Sequence, residues 1–399
     1  FNVSRKYIFN NFINIIKGKE FFFIPKSSFA PQKDDVNLKI EISKASDAIK
    51  LGSIKTFTFE GVDLKPILSE YLLNACFSGL IKLKREINFL HKILSIRKPS
   101  LVVSQNALGS AYALGELCAK MKIPGLLVSH GTHVAHSNTY SRLEWEIHAK
   151  TIINTNYPLV AAQSPQAEVF LKSLKDVRSK IIRTGPLIFA SNNMNFKDRK
   201  ELREKLFGVN SHKKIILHAS TPKDSSSMRP WVYETIDEYI SNINDVINAV
   251  DKFENIFLAI KFRPSKLLSK SMLLELIKSS DNCIIYTEGV FDEYLLASDL
   301  LVSYSSTAIE EALQNNLPVL QYDSDNKYMH IKSPTININN DIDINPIYYC
   351  GSASELAPSI KTIFYNLSFI LESSEKWENY RYPLDDSLAW LDNIIGAND

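Results

Sequence analysis

Short apolar runs alternate with helix-patterned segments in two separate series, and this rhythm limits the possible folds more than any other feature of the chain. In the first series SLVVS (100–104) precedes ALGSAYALGELCAKM (107–121), and GLLVS (125–129) follows it. LVAAQ (159–163) then leads into PQAEVFLKSL (165–174) and KIIRTG (180–185). Consecutive apolar residues within so short a run bury both faces of a strand, as happens in a parallel sheet covered by helices. Parallel neighbours need a crossover, which the intervening helical segments supply. The second series runs KKIILHA (213–219), a helix near 231–250, NIFLAIKF (255–262), a helix near 267–279 and NCIIY (282–286). It continues with DEYLLA (292–297), DLLVSY (299–304), TAIEEALQN (307–315) and PVLQY (318–322).

The expected fold class is therefore α/β, with two Rossmann-like domains facing each other across a cleft. A length of 399 residues agrees with two domains rather than one. The polar stretch ASNNMNFKDRK (190–200) is the expected linker, giving a first domain over 1–195 and a second over 196–375. Ahead of the first series, IKTFTFE (54–60) alternates like a strand and 64–96 has helical spacing. The stretch 372–396 reads as helical with a break at Pro383, and 376–399 is expected to pack back on the first domain.

Lys and Arg total 46 against 44 acidic residues, so the net charge of +2 does not suit a dedicated polyanion binder, and nucleic acid is not an expected partner. Cys76, Cys118, Cys283 and Cys350 are far apart in sequence, without CxxC or HxxxH spacing. They suit buried thiols in a reducing compartment better than a disulfide frame or a zinc site. No uninterrupted apolar run approaches the roughly 18–20 residues that cross a bilayer, so the expected setting is the cytoplasm. Residues 1–30 mix aromatic and aliphatic residues with Lys and Arg. They read either as an element packed on the first domain or as a basic amphipathic segment touching the inner face of the inner membrane. Phe1 stands where a start methionine is usual, which makes further domains in a longer polypeptide one expectation.

In open parallel sheets, ligands sit beyond the carboxyl ends of the strands, so the residues that end each run are the candidates. GLLVS runs into SHGTHVAHSN (129–138), which holds His130, His133 and His136. His130 reads as a base or acceptor-orienting group, with Gly131 allowing a sharp turn; a solvated loop and a metal site are the alternatives. KKIILHA runs into Ser220, Thr221 and Asp224. The hydroxyls suit phosphate and the carboxylate suits a nucleophile or base; the plainer reading is a surface turn beside Pro222. Lys261 and Arg263, before Pro264, suit a phosphate or carboxylate, or else a structural ion pair. The strongest signal is DLLVSYSSTAIEEALQ, where Ser305, Ser306 and Thr307 join a strand end to a helix start. Unpaired amides and the helix dipole favour an anion there, although the same hydroxyls could simply cap the helix. The loop TEGVFDEY (287–294) is a candidate wall for a nucleotide base.

Taken together, SHGT, TGP (184–186), HASTPKD, KFRPS and DLLVSYSSTAIEEALQNNLPVLQYD resemble the GT-B glycosyltransferases that build bacterial surface polysaccharides, over about 100–330. Similar arrangements occur in Kdo transferases, bacterial sialyltransferases and CDP-glycerol polyolphosphate transferases. Ser305–Ser306 matches the phosphate-holding pair of the sialyltransferase-like groups, while Arg263–Pro264 stands where they carry His-Pro. SHGT, AST-PKD and SYSS resemble, with differences, the three stretches of the polyolphosphate transferases. The resemblance is nearest to retaining β-Kdo transferases. It implies a CMP-β-Kdo donor bound by the second domain, a glycan or lipid-linked glycan acceptor held by the first, and neither cofactor nor metal. Asp224 would be the nucleophile, His130 would serve the acceptor, and Glu144 or Glu146 would be the acid/base. Ser220, Thr221, Lys261, Arg263, Ser305, Ser306 and Thr307 would hold the nucleotide phosphate. CDP-glycerol or CDP-ribitol transfer, a UDP-sugar epimerase and a non-catalytic nucleotide-sugar-binding module are the alternatives.

Overall fold

The computed structural model describes residues 58–63, 65–129, 156–174, 178–188, 196–219, 234–265, 267–325, 327–337, 342–382 and 389–396, with 134, 137–139, 142–143, 153 and 222. A two-residue hairpin, β1 (Thr58–Phe59) with β2 (Val62–Asp63), precedes the 33-residue helix α1 (Lys65–Arg97). The first sheet follows, with β3 (Val102–Ser104), α2 (Ser110–Met121), β4 (Gly125–Leu127), β5 (Leu159–Ala162), α3 (Pro165–Ser173) and β6 (Lys180–Arg183). Its strands lie in the order β3-β4-β5-β6, all parallel. Leu90 and Leu94 of α1 pack on Leu117 of α2. On α2, Gly115 is dictated by packing, because a Cβ there would meet the Tyr157 ring at 2.7 Å. The same tyrosine donates to the Ala111 carbonyl at 2.6 Å, fixing the chain just ahead of β5 to the helix. α3 starts where Ser164 accepts from the Ala167 amide at 3.1 Å and Pro165 takes the first helical position.

The second domain opens with α4 (Phe196–Phe207), then β7 (Lys214–His218), α5 (Ile236–Val250), β8 (Ile256–Lys261), α6 (Lys270–Leu276) and β9 (Cys283–Tyr286). It continues with α7 (Phe291–Leu296), β10 (Leu300–Ser303), α8 (Thr307–Gln314), β11 (Val319–Tyr322), β12 (Ile347–Cys350) and α9 (Ala353–Tyr365). The six strands are all parallel in the order β12-β11-β10-β7-β8-β9. Ile215, Ile216 and Leu217 of β7 and Phe257 to Ile260 of β8 are all wholly buried, the both-faces burial that the unbroken apolar runs require. α5 carries a capping box, with Thr235 and Glu238 each bonding the other's backbone amide. It lays Tyr239, Ile243, Val246, Ile247 and Val250 into this core and packs against α9.

At the opposite, amino end of β10, Asp299 is held by three donors. It accepts from Arg199 at 2.9 Å, from Arg203 at 3.0 Å and from the Ile215 amide at 2.8 Å. The guanidinium groups hold its carboxyl below the usual carboxylate range against the opposing effect of burial.

Both sheets agree with the expected pair of Rossmann-like domains. β12 and α9 carry weaker sequence marks: β12 follows the polar NINNDIDIN run, and α9 contains Pro358. Spacing of Leu356, Ile360 and Ile363 along one face nevertheless buries that helix. After α10 (Leu367–Glu372) and α11 (Ser374–Trp377), the chain returns to the first domain. There Leu391 of α12 (Ala389–Ile395) packs with Leu126, Val128 and Ala161. Among the described residues no helix is long and apolar enough to cross a membrane.

Candidate functional site

The strand order of the second sheet reverses at one place. From β7 the chain winds outward through β8 and β9, then returns to β10 on the other flank of β7 and winds outward again through β11 and β12. Segments leaving the carboxyl ends of β7 and β10 therefore part, and the crevice between them is the topological switch point where this class of sheet binds ligands.

Residues 303–307 run from the carboxyl end of β10 into α8, beside that switch point. The Ser303 hydroxyl donates to the Ala219 carbonyl at 2.5 Å, and the Ala219 amide donates to the Val302 carbonyl at 3.2 Å, so the two strand ends are zipped up to this point. Ser306, in extended conformation, caps α8 by accepting from the Ala308 amide at 3.2 Å. Its O–H proton is still available to donate, and the first amides of α8 have no intrahelical acceptor. Ser305 is buried beside it, and Thr307 is half-buried at the first helical position. The structure thus brings Ser305, Ser306 and Thr307 together at a helix start beside the switch point. That arrangement combines hydroxyl and amide donors with the positive end of a helix dipole, a set that suits a phosphate group.

Around this junction the polar groups are anchored. Buried Tyr304 donates to Glu234 at 2.5 Å, and Asn242 joins the same carboxylate at 3.4 Å. Burial first, then the neighbouring carboxylate, pushes the Tyr304 phenol well above its ordinary value, so it acts as a donor. His330 meets Glu310 of α8 at 3.2 Å with both side chains buried, and Glu310 Oε2 and Gln314 Nε2 have no hydrogen-bond partner among the described residues. His218 ends β7 opposite Val302 and is buried; Nδ1 is without a partner among the described residues. Burial lowers its imidazole to about 4, so it is neutral at physiological pH.

Of the two predicted cations at the β8 end, Lys261 is already engaged. It donates to the carbonyls of Glu288 (2.5 Å) and Gly289 (3.1 Å) and lies 4.7 Å from the centre of the Tyr294 ring. It thereby holds the 287–290 loop against the sheet, and burial lowers its ammonium pKa. Arg263 is exposed two residues further on. A pair that sequence reading passed over lies between α7 and α8: Asp292 hydrogen-bonds to Glu311. Burial raises both carboxyls; the bond between them raises Glu311 further and pulls Asp292 the other way. Sequence reading placed Asp292 only in the TEGVFDEY loop and gave Glu311 no role at a site.

Two described residues of the 129–138 stretch meet the second domain. Val134 is wholly buried within the second domain's apolar core, and the Ser137 hydroxyl donates to the Met329 carbonyl. Ser129, at the start of the loop, is tied through its carbonyl to Gln163, whose other end accepts from the amides of Leu187 and Ile188. His130, His133, His136, Glu144, Glu146, Ser220, Thr221 and Asp224 lie outside the described residues, as does 1–30. Among the described residues no cluster of three or more His, Cys, Asp or Glu is placed to hold a metal.

No protein-family model and no curated protein sequence matches the chain. Solved structures are similar in backbone. S. aureus MnaA, in a co-structure with UDP, is 15% identical over 79% of each chain with a TM-score of 0.52. UDP-GlcNAc 2-epimerase from Neisseria meningitidis, bound to UDP-GlcNAc, is 14% identical over 84% of this chain and 89% of that one, with a TM-score of 0.52. The enzyme of the same name from Methanocaldococcus jannaschii is 13% identical over 98% of this chain and 96% of its own, with a TM-score of 0.51. At these identities the likeness is one of fold: two Rossmann-like domains in the GT-B arrangement.

Proposed function

We propose that this chain is a glycosyltransferase that draws its sugar from a nucleotide-activated donor. The observation that carries the reading is the junction of β10 and α8, where Ser305, Ser306 and Thr307 stand at a helix start beside the switch point. A leaving nucleotide phosphate gains negative charge as the glycosidic bond breaks, and fixed hydroxyl and amide donors stabilise that charge without reorganising. Val134 and Ser137 contact the second domain, and the histidines near them in sequence suit an acceptor.

Sequence resemblance supports CMP-β-Kdo as donor and a bacterial surface polysaccharide as acceptor. In this reading Asp224 attacks the anomeric carbon and CMP departs with the bonding pair. The acceptor hydroxyl, losing its proton to His130 or Glu146, then displaces the carboxylate, so two inversions retain configuration. Lys261 and Arg263 would add positive charge at the phosphate, with Ser220 and Thr221 as further donors. A second reading, a UDP-sugar epimerase, is favoured by the fold likeness to UDP-GlcNAc 2-epimerases over nearly the whole chain.

Thermal shift with CMP, CDP, UMP, UDP and GDP separates these readings, because a ligand selective for the folded state raises the melting temperature with its affinity and excess. The expected result is a response to CMP, followed by transfer of Kdo from CMP-β-Kdo to a glycan. A CDP response with a phosphorus-containing product would replace it with polyolphosphate transfer. A UDP response with acceptor-free isomerisation of UDP-GlcNAc would overturn it in favour of the epimerase, and tight binding without any turnover would leave a non-catalytic module.

A further inference from the structure

A second cavity, of about 430 Å³, lies away from the switch point, where the returning C-terminal segment crosses the first domain. One wall is a single face of α3, with Pro165, Val169 and Lys172 at helical spacing and Arg183 from the end of β6 beside them. The opposite wall is Glu378, Arg381 and Tyr382, just past α11, so three cations (Lys172, Arg183 and Arg381) line the cavity against two carboxylates (Glu168 and Glu378). The two walls are joined by direct bonds: Tyr382 donates to Glu168 at 2.7 Å, and the Gln166 amide donates to the Asn379 carbonyl at 3.1 Å.

The charges in this cavity do not cancel locally. Glu168 is saturated: it takes Arg183 through two bonds of 2.7 and 3.1 Å, Lys172 at 2.7 Å and Tyr382. These donors hold its carboxyl down at about 2 although burial opposes them, so it stays ionised and has little left to offer a further cation. Across from it, the Arg381 guanidinium has no hydrogen-bond acceptor among the described residues; it rests 5.9 Å from the centre of the buried Trp377 ring. Burial lowers its pKa, and Glu378 offsets this only in part. Five N–H donors in a planar fork, partly stripped of water and facing a cavity, match a carboxylate or phosphate. Val169, 54% exposed, and Pro165 supply an apolar surface beside that fork. The volume falls in the range of small-molecule sites.

We propose that this cavity binds a small organic anion, its phosphate or carboxylate head on Arg381 and its body against Pro165, Val169 and Tyr382. The site is separate from the nucleotide crevice and does not depend on which reaction the enzyme performs.

The test uses the whole chain and two probes, glucose 1-phosphate for a free sugar phosphate and glucuronate for an acidic residue of a glycan. Melting temperatures are followed at ionic strength matched with sodium chloride. At least one probe should give a saturable rise, and the one that does identifies the source. Arg381→Gln should raise its half-saturating concentration tenfold or more, the loss expected for a charge-assisted fork. Val169→Phe, which fills the cavity and leaves the guanidinium in place, should do the same, so either variant suffices if the other does not fold. The nucleotide response should be unchanged in both. Equal probe responses in wild type and variants, or no rise beyond the salt control, would overturn the proposal.

Discussion

Ser306 occupies a position where two roles make opposite demands, and replacing it by aspartate separates them. As cap of α8 its oxygen accepts the Ala308 amide at 3.2 Å. Aspartate caps about as well as serine, whereas alanine costs about 1 kcal/mol, or roughly 2–4 °C in a domain of this size. As a phosphate ligand the hydroxyl donates to an anion, and losing such a bond costs about 1.5–3 kcal/mol, roughly a 10- to 150-fold weakening. Aspartate goes further, because its own charge opposes the phosphate. At about 4 Å and an effective dielectric near 20, each unit pair repels by about 4 kcal/mol, close to a thousandfold. The assay is thermal melting without nucleotide, then titration with whichever nucleotide shifts the wild type most. Ser306→Asp should melt with the wild type and show no nucleotide response at millimolar concentration. Ser306→Ala should melt a few degrees lower and still respond, more weakly. Should Ser306→Asp bind nucleotide within twofold of wild type, Ser306 is a helix cap and the phosphate assignment at this turn is wrong.

Two further outcomes follow from groups outside that turn. His218 has its pKa lowered from 6.5 to about 4 by burial, so the unfolded chain binds the extra proton between those values; this contribution to stability is complete above about 6.5 and is lost as pH falls toward 4. Between pH 7 and pH 5 it should amount to about 2 kcal/mol, and His218→Gln should show a correspondingly flatter fall in denaturant midpoint over that range. Asp299→Ala leaves the Arg203 guanidinium, only 13% exposed, without its carboxylate and should cost about 3–5 kcal/mol, or roughly 6–20 °C. Because Asp299 lies at the amino end of β10, the nucleotide response of that variant below its melting point should persist, in contrast to Ser306→Asp.

Local pattern carried much of this fold. Apolar runs such as IILH and FLAIK can be buried on both faces only in a covered parallel sheet, so their alternation with helical segments was enough to set out two α/β domains. The serines before TAIEEAL were legible for the same kind of reason. A hydroxyl cluster between an apolar strand and an amphipathic helix has a chemistry that depends on neighbours in sequence. α9 was harder to read because Pro358 argues locally against a helix, and packing against α5 outweighs it.

Pairings between distant residues were another matter. That Lys261 donates to the carbonyls of residues 288 and 289, that Asp292 bonds to Glu311, and that Arg381 and Glu168 line one cavity are facts of three-dimensional placement. Sequence read Lys261 as an anion ligand and Asp292 as part of a base-binding loop, and named the others only as charged residues. A side chain's residue type and local spacing determine which face of an element it occupies. Whether its charge is met, desolvated or left open depends on atoms brought near by the fold from positions far along the chain, and Coulomb and desolvation energies depend on that separation in space, not in sequence.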